Sequence, residues 1–126
     1  MPIDFYRSKE GKTKLTFKSG EWHRYPENIR SYVNEFAQRR FVSCKPLTNL
    51  SDMEDVLLSV DEIQEISSFC KTVIGNIEAW DYSKEIYDEL KRHRLKKGDV
   101  LGFFINLNTF LENAVNENDY VYSIGE

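Results

Sequence analysis

Glu21, His23 and Arg24, within EWHRY, are the residues whose types and spacing come closest to catalytic chemistry. A carboxylate, an imidazole and a guanidinium supply an acid, a base and a stabiliser of negative charge, the elements of a small nuclease-type site. Tyr25 stands beside them as a further polar group. The spacing argues against convergence, because in an extended strand Glu21 and His23 share one face while Arg24 points to the other. Strand residues this polar more often form the wet side of a sheet, and short motifs recur without function.

The remaining chemistry-bearing residues are more scattered. His93 lies in KRHRLKK. Glu89 four residues before it, and Asp88 four before Arg92, are favourable pairings on a helix. Basic residues also complement the negative end of a helix, so this cluster reads as a helix terminus rather than a phosphate site. Two histidines and the separated Cys44 and Cys70 lack the spacing of transition-metal ligands. There is no phosphate-binding or dinucleotide glycine pattern and no serine in a GxSxG context. The reading is therefore a protein without catalytic residues, metal or cofactor.

Charge is the more informative signal. The stretch SDMEDVLLSVDEIQE carries six acids and no Lys or Arg, and residues 46–90 as a whole hold eleven acids against Lys71 and Lys84. Each acidic trio follows a hydroxyl that fits a capping box, Ser51 with Glu54 and Ser59 with Glu62, where side chains satisfy free backbone N–H groups. Carboxylates in a first helical turn contribute about 0.3–1 kcal/mol, so capping explains half of them. It does not explain the missing counter-charge, and a solvated face and a partner-facing acidic surface remain the alternatives. The candidate surface comprises Asp52, Glu54 and Asp55, then Asp61, Glu62 and Glu65. Glu78, Asp81 and Glu85 continue the sign, with Trp80 and Tyr82 as aromatic anchors of the kind that interfaces use. A middle third this acidic argues against nucleic acid and permits attraction to a basic protein.

These residues must be positioned by a small α+β fold, a mostly antiparallel sheet packed with three to four helices. IDFY, KLTFK and EWHRY read as short strands, with a hairpin at Ser19-Gly20. Pro26 at a helix start leads into the stripe Ile29, Val33, Phe36, widened by Tyr32 and Ala37. FVSC, bounded by Pro46, reads as a strand, and residues 53–58 fit either a short helix or a strand. After Ser59, Ile63, Ile66, Cys70, Val73 and Ile77 keep helical spacing to about Glu78, with Phe69 and Ile74 on the same face. A further helix starts near Ser83, turns Ile86 and Leu90 inward and stops at Gly98. Asp99 caps a run with Val100, Phe103, Phe104, Leu107, Leu111 and Ala114 at helical spacing, for which a buried strand over 100–107 is the alternative. DYVYSI closes the chain as a strand. Strands gathered early with one last favour α+β over a βαβ repeat.

With 126 residues, 40% hydrophobic and 30% charged, the chain is expected to form one domain over 1–126 with a sizeable core. The start lacks a secretory pattern, and the longest apolar run, VLGFFINL, falls short of a membrane span. The two cysteines are expected as buried thiols in a reducing compartment, with the cytoplasm as the default. The acidic block SDMEDVLLSVDEIQE, the nearby WDY and the lack of catalytic motifs together resemble the immunity proteins that bacteria make against toxins delivered between neighbouring cells. That resemblance is one of overall character. It implies a small, acidic, cytosolic protein that blocks a basic nuclease toxin. An accessory or regulatory subunit binding a host protein is the other non-enzymatic alternative.

Overall fold

The structure, a computed structural model, describes residues 3–9, 22–50, 54–79 and 84–125. Among them the elements run β1 (Ile3–Ser8), β2 (Trp22–Tyr25), α1 (Glu27–Arg40), α2 (Lys45–Thr48), β3 (Val56–Leu58), α3 (Val60–Ala79), α4 (Lys84–Arg92), α5 (Lys97–Asn116) and β4 (Tyr120–Gly125). This is the expected α+β architecture, with the single turn α2 as an additional helix. The four strands form an antiparallel sheet in the order β2-β1-β4-β3, so the first strand pairs with the last in its centre.

Residues directly opposed in an antiparallel ladder share a face. The register sets Ile3 against Tyr25 and Gly125, Phe5 against His23 and Ser123, and Leu58 against Val121. That face meets α5, where Tyr25 stacks on Phe103 with ring centroids 5.5 Å apart. From Phe103 a chain of aromatic contacts runs inward through Phe104, Phe69 and Phe36 to Tyr32, mostly edge-to-face. One contiguous hydrophobic cluster thus joins the sheet to all five helices. The opposite face carries Asp4, Leu57, Tyr120 and Tyr122, and there Arg24 Nε donates to Asp4 Oδ1 at 3.0 Å.

α3 begins as its sequence requires. The Ser59 N–H donates to Glu62 Oε1 at 3.0 Å and the Glu62 N–H donates to Ser59 Oγ at 3.1 Å, a complete capping box. Ile63, Ile66, Phe69, Cys70, Val73 and Ile77 are its buried residues. The other proposed box has no helix to start, because Val56–Leu58 is a strand; Ser51 itself lies outside the described residues. The run VLGFFINL is helical, within α5. α5 packs on α3 on one side and contacts the sheet on another, which explains why its apolar residues are nearly continuous. Asp99 acts from the third position of α5, accepting the Lys96 N–H at 3.1 Å, rather than as the cap residue.

Helix ends depart most from the sequence reading. α1, α4 and α5 each close with a six-to-one backbone bond, Val42 to Ala37, Leu95 to Leu90 and Asp119 to Ala114. The residues that turn left-handed there are Phe41, Arg94 and Asn118. Such positions favour glycine, and none of the three is one. FVSC therefore forms no strand: Phe41 reverses the chain and Pro46 enters the short α2. α4 likewise stops at Arg92 rather than at Gly98, which falls in the first turn of α5. Ser19-Gly20 and KLTFK lie outside the described residues.

Phe41 has φ 54° and is 97% exposed, so its ring contributes little packing while its backbone is strained. Replacing it with glycine should raise stability by about 1 kcal/mol. Urea denaturation followed by circular dichroism checks this, and a loss of stability in Phe41→Gly contradicts it.

Candidate functional site

The candidate acids do not behave alike. Glu54 and Asp55 are exposed in the segment leading into β3, and Asp61 and Glu65 are exposed in the first turns of α3. No described cation lies within ion-pair distance of these four. Asp61 and Glu65 stand one turn apart on a single side of the helix. Glu62 is committed to the capping box. Together they bracket β3 from both ends along the chain.

The second acidic group sits elsewhere. Glu78 is exposed in the last turn of α3, and the helical rise places it roughly 24 Å along the axis from Glu62. Glu85, on α4, meets Arg39 Nη1 of α1 at 3.8 Å. Asp52, Trp80, Asp81 and Tyr82 lie outside the described residues. Glu54, Asp55, Asp61, Glu62 and Glu65 thus flank β3 in the chain, while Glu78 lies in the last turn of α3 and Glu85 on α4.

Part of the missing counter-charge comes from α1. Arg40 Nη1 donates to Glu89 Oε2 at 3.2 Å, and Arg40 Nη2 lies 3.1 Å from Glu89 Oε1. The pairings expected within α4 give way to pairings between helices. Arg92 binds Glu35 of α1 at 2.7 Å, and His93 Nε2 lies 3.3 Å from the same carboxylate. The Arg92 hydrogen bond, aided by His93, holds the Glu35 carboxyl below its ordinary range despite partial burial. These charges are occupied in joining α1 to α4; among the described acids of 46–90, Glu54, Asp55, Asp61 and Glu65 near β3, and Glu78 and Asp88 away from it, have no ion-pair cation.

Beside those acids is an apolar cleft of about 450 Å³ between β3, the start of α3 and the end of α5. Leu58, Ile63 and Val115 line it. Leu57, Val60 and Tyr120 contribute exposed apolar surface at 40%, 58% and 45%. Its β4 side is rigidly tied. Arg7 Nη2 donates to Asp119 Oδ2 and to Glu117 Oε2, each at 2.7 Å, and Lys9 Nζ lies 2.6 Å from Asp119 Oδ1. Burial opposes ionisation of Asp119, but the hydrogen bonds from Lys9 and Arg7 outweigh it and hold the carboxyl below its usual range. Sequence reasoning missed the apolar members. Val56–Leu58 shows them only once the strand order places β3 at an edge, a property no local pattern encodes.

The EWHRY residues separate. His23 packs its ring 5.1 Å from Phe103, and burial lowers its pKa. Arg24 points to the other face and pairs with Asp4. His23 thus lies on the helix-covered face of the sheet rather than on a solvated one, and it does not meet Arg24; Glu21 is outside the described residues. Cys44 and Cys70 are buried free thiols, and burial pushes them up to about 11 and about 12, so both stay protonated at neutral pH. Among the described residues no three His, Cys, Asp or Glu side chains converge as metal ligands, and no helix is long and apolar enough to cross a membrane.

Fold and site together define a small α+β domain whose helices cover one face of an antiparallel sheet and whose edge strand is flanked in the chain by acids with no ion-pair cation among the described residues. No protein-family model, curated protein or solved structure matches the chain.

Proposed function

We propose that this protein is a binding module that neutralises a basic protein, in the manner of the immunity proteins it resembles in character. The observation that carries the reading is the set Glu54, Asp55, Asp61 and Glu65, exposed, without an ion-pair cation among the described residues, and next in the chain to residues 57–60, which line one apolar cleft. Acids whose counter-charge lies within the fold, as for Glu85 and Glu89, are excluded from it. A surface of one sign speeds encounter with a partner of the other sign, and desolvated apolar contacts slow its release. A nuclease toxin fits because its own active surface is basic to hold phosphate.

The test pairs capture of the partner from the source cell with kinetics on the purified complex. The partner is expected to carry a net positive domain. Glu54→Lys, Asp55→Lys and Glu65→Lys, combined, are expected to slow association about tenfold or more at low salt and to flatten its salt dependence. Glu62 is left intact because its substitution removes the cap. Unchanged association kinetics in this folded triple variant refute the reading.

A further inference from the structure

We infer that the open edge of β3 takes up an extended segment of the partner, one that alternates apolar residues with Lys or Arg. The inference rests on the proposed reading of a basic partner and adds how that partner is held. β3 is the terminal strand of the sheet, and among the described residues it pairs only with β4. Alternate residues of such an edge turn their N–H and C=O groups outward, ready to pair with another chain. Added strands of this kind gain affinity from main-chain bonds and specificity from pockets for alternate side chains.

An edge of three residues offers only about two main-chain hydrogen bonds, and short edges are a known guard against indiscriminate pairing. Selection must therefore come from side chains. Leu57 and Tyr120 lie on the same face of the sheet, diagonally across from one another on β3 and β4, and Val60 follows at the start of α3. The adjoining cleft has an apolar floor and room for a large apolar side chain. Glu54 and Asp55 lead into the strand and Asp61 follows it, all exposed, so an occupant that carries cations beyond its apolar residues has carboxylates before and after the strand in the chain to meet.

Two other occupants fit less well. The neighbouring groove between α3 and α5, about 480 Å³, is lined in part by Gln64, Ser67, Lys71 and Glu112, and the Lys71–Glu112 pair at 3.4 Å sets a cation in the path of a basic docking helix. A second copy of this chain, paired edge to edge, brings the same unpaired acids together, and like charges at that range repel.

The test uses the full chain, labelled for NMR, and a synthetic two-stranded hairpin whose exposed strand alternates Lys and Leu. A helical peptide of the same composition is the control. The hairpin should slow amide exchange at residues 56–58, and the helical peptide should not. Leu57→Glu and Val60→Glu supply the decisive contrast, since each adds negative charge while removing apolar surface. Each should weaken hairpin binding about tenfold. Binding that is unchanged or strengthened by the added charge overturns the strand seat, as does equal binding of the helical peptide or absence of protection at 56–58. A dimer of the free chain that shields Leu57 overturns it as well. If these outcomes occur while the Glu54, Asp55 and Glu65 reversals still weaken binding, the basic-partner reading survives alone. If the reversals have no effect either, both fall.

Discussion

Glu89→Ala should lower the stability of the fold by about 3 kcal/mol, the lower part of the range for breaking a buried ion pair. Glu89 is 1% exposed, and its carboxylate meets both terminal nitrogens of Arg40, with Arg39 Nε at 3.9 Å. Arg40 retains about a fifth of its side-chain exposure, which places the effect low in that range. Its guanidinium lies 4.1 Å from the Phe36 ring centroid, so removal of the carboxylate leaves a cation against an apolar wall. Tyr32 lies near this pair: burial, and then the negative charge of Glu89, push its hydroxyl pKa upward, so it remains neutral. Glu89→Gln keeps the volume and one acceptor and is expected to cost about 1–2 kcal/mol. Urea denaturation measures both, and a loss below about 0.5 kcal/mol in the alanine variant shows a pair that water already screens.

This expectation separates folding acids from binding acids. In the chain Glu89 extends the unneutralised run of 46–90, yet its counter-ion lies 49 residues earlier on α1. A charge count sees only neighbours in sequence, whereas α1 and α4 meet through tertiary packing. The same limit hid the Glu35 contacts of Arg92 and His93 behind plausible pairings within one helix. Local patterns did better where one element suffices to define them. The stripe of α3, its Ser59–Glu62 cap and the alternating DYVYSI strand are all present, because period and capping act within a few residues. Helix stops were hidden where Phe41 and Arg94 adopt a backbone state that glycine usually supplies. For the candidate site, the acids near Ser59 were legible as residues. Their division into paired and unpaired sets, and the apolar cleft beside them, follow from strand order and helix packing.

Phe36→Ala should be at least as damaging, at about 3–5 kcal/mol, because the ring is fully buried where three features meet. It lies edge-on to Phe69 of α3 at 5.8 Å, packs beside Tyr32 at 6.0 Å, and forms the shelf under Arg40. A cavity there removes aromatic contacts that link α1 to α3 and also releases the guanidinium that binds α4. The loss approaches the whole stability of a small domain, so Phe36→Leu is the working variant, with an expected cost of about 1–2 kcal/mol. Its value lies in a double-mutant cycle with Glu89→Gln. If Arg40 transmits between ring and carboxylate, the two changes together should cost less than the sum of each alone, by about 0.5–1 kcal/mol. The reason is that a guanidinium already loosened from Phe36 can turn towards water once the carboxylate is weakened. Additivity to within about 0.3 kcal/mol places the ring and the ion pair in independent parts of the core and removes Arg40 as the link. A variant series on the acidic rim is then readable, because the charges that hold α1 to α4 have been measured apart from those that face a partner.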